Sequence, residues 1–102
     1  VYGAGSQAIA AASNTFTCTT GFLQFTTATG TTTMTSNPTI ADGVTGQVCQ
    51  LENVDATATD CVTFPDGTTG LQLGGARTLC PNDTLTVVYD GTDWVELAYA
   101  NN

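Results

Sequence analysis

From Asn14 onward, apolar and polar residues alternate with a period of two, and Gly, Asp and Asn interrupt the alternation every few residues. This pattern describes short strands joined by turns rather than long helices. "NTFTCTT" reads as a strand with Phe16 and Cys18 on one face. "GFLQFTTATGTTTMTS" reads as a hairpin turning near residues 28 to 30. "NPTIADGVTG" is a loop, and "QVCQLENV" is a strand with Cys49 and Leu51 sharing a face. "CVTF" is a strand with Val62 and Phe64 inward, and "LQL" is a short one. Threonine, β-branched and suited to strands, is the commonest residue, while straight-chain charged helix formers are nearly missing. The expected fold is all-β: a small, disulfide-stapled, antiparallel β-sandwich, jelly-roll-like, of about eight short strands. There is no internal repeat.

"TLTVVYDGTDWVELAY", residues 84 to 99, carries the strongest pattern. Leu85, Val87 and Tyr89 share one parity, and Val95, Leu97 and Tyr99 share it too. A three-residue loop "DGT" would set Val87 opposite Val95 and Leu85 opposite Leu97, with Gly91 supplying the turn angle. Thr86, Val88, Trp94 and Glu96 would then lie on the opposite face. Trp94, beside Thr and Asp, is there either a sugar-stacking platform or a residue that simply caps the hairpin or fills an interface with a neighbouring subunit, and the second is preferred.

Four cysteines in 102 residues, Cys18, Cys49, Cys61 and Cys80, indicate a disulfide framework and an oxidising compartment. Without a Cys-x-x-Cys pair or a histidine, zinc is poorly served. Cys18 and Cys49 are in phase with apolar neighbours, whereas Cys61 and Cys80 are out of phase with theirs. Parity therefore favours Cys18–Cys49 and Cys61–Cys80, although proximity favours Cys49–Cys61.

Residues 1 to 14, "VYGAGSQAIAAASN", carry no charge and differ from residues 15 to 102, the sandwich domain. They are expected to form an extended N-terminal arm, held rather than frayed. Val1, Tyr2, Ala8, Ile9, Ala10, Ala11 and Ala12 are its candidate subunit contacts. A start at Val1 without Met points to a processed, secreted piece.

Nine acids against a single Arg77 give a formal net charge of −8. That balance argues against nucleic acid or membrane partners, and no apolar run is long enough to span a bilayer. With no His or Lys, neither a serine triad nor a Ser–Lys dyad can form. Only a carboxylate pair could do chemistry, and Asp66, Asp83, Asp90, Asp93 and Glu96 sit mainly at turns, where Asp-Gly is first a turn signal. No catalytic residue and no cofactor are expected. Turn carboxylates at "NDT" and "DGTD" could hold Ca2+, without the ligand spacing of an EF-hand. "NDT" at 82 to 84 is also a glycosylation sequon.

"IADGVTGQVCQLENV", "CVTFPDGTTGLQLGG" and "NDTLTVVYDGTDWVELAYANN" resemble a β-rich module at the ends of phage tail fibres, similar to modules of secreted β-repeat proteins. The resemblance covers roughly 60 residues. It implies an all-β module in a fibrous assembly without catalysis. The four cysteines and the missing shaft upstream depart from that pattern. The leading expectation is a secreted subunit of an extracellular filament, in which residues 1 to 14 pair with an edge of the next copy. The alternatives are a virion component, either tail-fibre tip or capsid decoration protein, and a glycan-binding adhesin.

Overall fold

Alternating side chains need two apolar surfaces to meet, and this chain makes them with two unequal sheets. The computed structural model describes residues 5–102. Among these are nine strands and no helix: β1 (Gly5–Ile9), β2 (Phe22–Thr27), β3 (Thr31–Thr33), β4 (Val48–Asn53), β5 (Cys61–Phe64), β6 (Leu71–Gln72), β7 (Arg77–Leu79), β8 (Thr84–Tyr89) and β9 (Trp94–Ala100). Six form one sheet in the order β1-β2-β4-β8-β9-β6, and three form the other, β3-β5-β7. The all-β sandwich expected from the alternation is therefore present. Its strand pairing is mixed rather than antiparallel: β1–β2, β2–β4, β3–β5 and β6–β9 are parallel.

The expected hairpin across residues 28 to 30 does not form. Gly30, at φ 80°, takes the chain out of one sheet and into the other. Its N–H donates to Asp60 Oδ1 and its carbonyl accepts from Cys61 N, so the turn is bonded to the start of β5 rather than back to β2. The strands on either side of it, β2 and β3, then pair with partners distant in sequence.

Residues 5 to 14 are not a separate arm. β1 lies parallel to β2 with Gly5 opposite Leu23 and Ile9 opposite Thr27. Ile9 is buried in the core, Ala8, Ala10 and Ala11 are exposed, and Ala12 is half-buried. A parallel pair needs a crossover of about a dozen residues, and residues 10–21 supply it. Asn14 Oδ1 accepts from the Ala10 and Ala11 amides, and the Ala12 carbonyl accepts from Thr35 and Ser36. The strand meant for a neighbouring copy is thus used at home, because Ile9 buries its side chain against the chain's own sheet. Val1 and Tyr2 lie outside the described residues.

The crossover delivers Phe16 to the centre. Phe16 bridges Ile40 and lies 5.0 Å, ring centre to ring centre, from both Phe25 of the large sheet and Phe64 of the small one. Leu23, Leu51, Val62, Leu79, Leu85 and Val87 complete the core around them.

Two disulfides flank this core, Cys18–Cys49 and Cys61–Cys80. This is the pairing that strand parity favours. The first ties the crossover to β4; the second lies across β5 and β7 on the outer face of the small sheet. By the chain-entropy account each contributes about 3 kcal/mol or slightly more. At one end, Asn53 is fully buried and its side chain makes three bonds: Nδ2 to the Asp60 and Leu79 carbonyls, Oδ1 from Asp55 N. Asn53→Ala takes the side-chain partner from two buried carbonyls and a half-buried amide. It should cost about 3 kcal/mol in urea unfolding, whereas Gln50→Ala on the exposed face of the same strand should stay within about 0.5 kcal/mol.

Candidate functional site

The hairpin of β8 and β9 holds the residues first considered as a site. Its loop has four residues, not three. Asp90 N donates to Asp93 O at 3.0 Å, and Asp90 Oδ1 accepts from the Thr92 and Asp93 amides at 2.9 and 2.8 Å. Those two amides hold the Asp90 carboxyl below the usual carboxylate range. Gly91, at φ 102°, completes the turn.

The extra residue shifts the register by one. Tyr89 faces Trp94, Val88 faces Val95 and Val87 faces Glu96. A bulge then absorbs Leu97, so that Thr86 faces Ala98 and Leu85 faces Tyr99. The expected pairs Val87–Val95 and Leu85–Leu97 are replaced. Leu97 is 58% exposed, while Tyr99 recovers its place against the core.

Trp94 is accordingly turned inward, and its assignment as a subunit contact or sugar platform is corrected. It is 2% exposed, its ring centre is 5.1 Å from that of Tyr89, and its Nε1 donates to the Ala41 carbonyl. Gly43 is needed to seat it, since a Cβ there would collide with Gln47 and press on the indole. Burial, followed by nearby Asp42, raises the pKa of Tyr89.

Behind the bulge, Arg77 of β7 reaches the large sheet. Its Nε and Nη2 donate to Glu96 Oε1 and Oε2 at 2.7 and 2.8 Å, and its guanidinium lies 4.7 Å from the centre of the Tyr99 ring. The Tyr99 hydroxyl donates to the Thr78 carbonyl. The bidentate bond from Arg77 lowers the Glu96 pKa and raises that of Arg77.

The remaining carboxylates mostly serve the backbone. Asp66 accepts from Leu73 N, and Asp83, which is buried, accepts from Cys80 and Asn102. Asp55 accepts from Thr57 and Thr27, which lower its pKa. Glu52 accepts from Gln24 Nε2. Among the described residues no three acidic or cysteine side chains converge on a point where a metal ion would sit, and no pocket opens.

The match with known proteins runs from residue 4 to residue 95, from β1 to the start of β9: the family model is the phage depolymerase C-terminal beta sandwich domain. The chain belongs to that family. No curated protein and no solved structure matches it. As a depolymerase C-terminal sandwich, it agrees with the likeness to phage tail-fibre modules carried by "CVTFPDGTTGLQLGG" and the closing hairpin. The family and the two disulfides are compatible with a virion or extracellular location.

Two expectations follow from this site. Trp94 fluorescence should be blue-shifted and shielded from acrylamide, and added saccharides should leave it unchanged. Glu96→Gln should lower the melting temperature, with a sign set by linkage. The carboxylate pKa is depressed on folding, so its stabilising contribution is present above the ordinary value of 4.5 and fades as pH falls through the lower folded-state value. Melting curves of the two proteins should differ at pH 7 and converge well below pH 4.5.

Proposed function

We propose that this domain is a non-catalytic structural module of a phage tail protein of the depolymerase type, present in several copies in the assembled particle. The family match over residues 4–95 carries this reading. The chemistry of the chain supports it. Of nine carboxylates, seven are engaged by amides, Arg77 or Gln24, so the acids are committed to holding turns and joining sheets. No histidine or lysine is present to act with a nucleophile.

The filament reading finds no free arm in residues 5 to 9, because β1 already pairs with β2. The adhesin reading has lost its platform, because Trp94 is buried. In the tail reading, the disulfides close in an oxidising environment after release from the cytosol.

Mass spectrometry of gradient-purified particles tests this. Peptides of this domain should co-purify with tail proteins at a fixed ratio, and isolated domain should release no reducing ends from capsular polysaccharide. Recovery of the chain only as free filaments, or measurable polysaccharide cleavage, would overturn it.

A further inference from the structure

Asp-Gly occurs at residues 42–43, 66–67 and 90–91. With no side chain on the second residue, such a pair is open to an intramolecular reaction. The glycine amide nitrogen attacks the aspartate Cγ, an N–Cγ bond forms, and the carboxyl hydroxyl leaves with the amide proton as water. The product is a five-membered succinimide. Water then adds back. Where it breaks the bond between the main-chain carbonyl carbon and the glycine nitrogen, the chain runs on through Cγ as isoaspartate. Nothing is oxidised or reduced, and the composition is unchanged. The reaction needs a protonated carboxyl, an amide nitrogen not held elsewhere, and backbone able to bring the two together.

The fold treats the three pairs differently. At Asp66–Gly67 both groups are committed, since Asp66 Oδ1 accepts from Leu73 N and Gly67 N donates to Leu71 O. At Asp90–Gly91 the carboxyl is committed: the Thr92 and Asp93 amides donate to Asp90 Oδ1 and favour its ionised form. At Asp42–Gly43, among the described residues, no amide donates to the carboxylate and Gly43 N has no acceptor. The Tyr89 hydroxyl faces Asp42. A hydroxyl donor leaves Cγ open and helps the carboxyl oxygen depart. Asp42 is exposed, in loop outside any turn. The loop is pinned on one side by the bond from Ala41 N to Phe16 O. On the other it is pinned by Gln47, whose Oε1 accepts from Val44 N and whose Nε2 donates to Cys18 O. Between the pins the backbone of residues 42 and 43 makes no hydrogen bond among the described residues, the condition for local opening.

We propose that Asp42–Gly43 is a site of spontaneous isoaspartate formation in the folded protein, from which Asp66–Gly67 and Asp90–Gly91 are protected by their hydrogen bonds. The inference is independent of the structural-module reading. Its consequence falls on Trp94. The indole Nε1 bonds to the carbonyl of Ala41, just before the site, and the indole packs beside Gly43, just within it. Isoaspartate inserts one more carbon into the main chain between these two contacts, and a close-packed interior responds to a single added methylene. The seat of the indole loosens, so the only tryptophan reports the change.

Ageing the purified chain in warm, mildly acidic buffer tests this. After reduction and unfolding, an endoproteinase that cuts before aspartate but not before isoaspartate should progressively lose its cut at residue 42 and keep those at 66 and 90. Methyl transfer by a protein L-isoaspartate methyltransferase should rise in step, and Trp94 emission should move to the red in proportion. Aged in denaturant, where the hydrogen bonds are gone, the three sites should react at similar rates. Asp42→Glu, whose longer side chain would have to close a six-membered ring, should hold both the methyl acceptance and the Trp94 emission at their starting values. Cuts lost at 66 or 90 as fast as at 42 in the folded chain would overturn the proposal. So would an intact cut at 42 while the unfolded chain reacts, or the same ranking of sites in the unfolded chain. Trp94 emission that stays fixed while residue 42 converts, or that drifts equally in Asp42→Glu, would overturn the link to the indole.

Discussion

Phe16, Phe25 and Phe64 come from three pieces of chain that are otherwise independent: a crossover, the large sheet and the small sheet. Their contact is what makes two sheets into one domain. Each ring buries about 2 to 3 kcal/mol of apolar surface, and edge-to-face pairs add about 1 kcal/mol. The crossover must place Phe16 between the sheets, which fixes its path. That path in turn makes β1 parallel to β2, brings Cys18 to Cys49 and seats Ile40, so that the neighbouring Ala41 carbonyl meets Trp94.

What the sequence disclosed was local. Alternation survives within each run of residues, even at Cys18 in the crossover and Cys80 just past β7, so it reported which cysteines lie on the apolar side of the chain and which do not, and the disulfide pairing followed. Pairing between distant strands left no such mark. Nothing in "GFLQFTTATGTTTMTS" says that β2 and β3 belong to different sheets, since the decision lies in the bonds from Gly30 to Asp60 and Cys61, thirty residues later. Trp94 was misplaced by one loop residue. In a strand that reverses the face of every side chain until a bulge restores it. The signal was present in Asp90, whose side chain can cap two amides and so enlarge the turn. The N-terminal residues looked like an arm because they are small and uncharged, yet an edge strand tolerates small residues equally well.

The charged side chains follow a single economy. Carboxylates at Asp55, Asp60, Asp66, Asp83 and Asp90 replace missing backbone partners at turns, where a β-rich chain with many loops has amides to satisfy. The large sheet is left almost free of charge on its outer face. The acidic surplus is therefore a by-product of holding loops, distributed at the ends of the strands rather than gathered into a reactive centre.

Arg77 is the one place in this chain where a protease that cuts after basic residues can act. Its side chain is gripped by Glu96 and lies against Tyr99, and its backbone is paired in β7 with Phe64. Such an enzyme needs an extended, free segment with the basic side chain available, and the folded domain offers neither. A cut there would still not release a fragment, because Cys61 and Cys80 lie on either side of it. The domain is protected twice over at its only tryptic bond, once by an ion pair and once by a covalent tie.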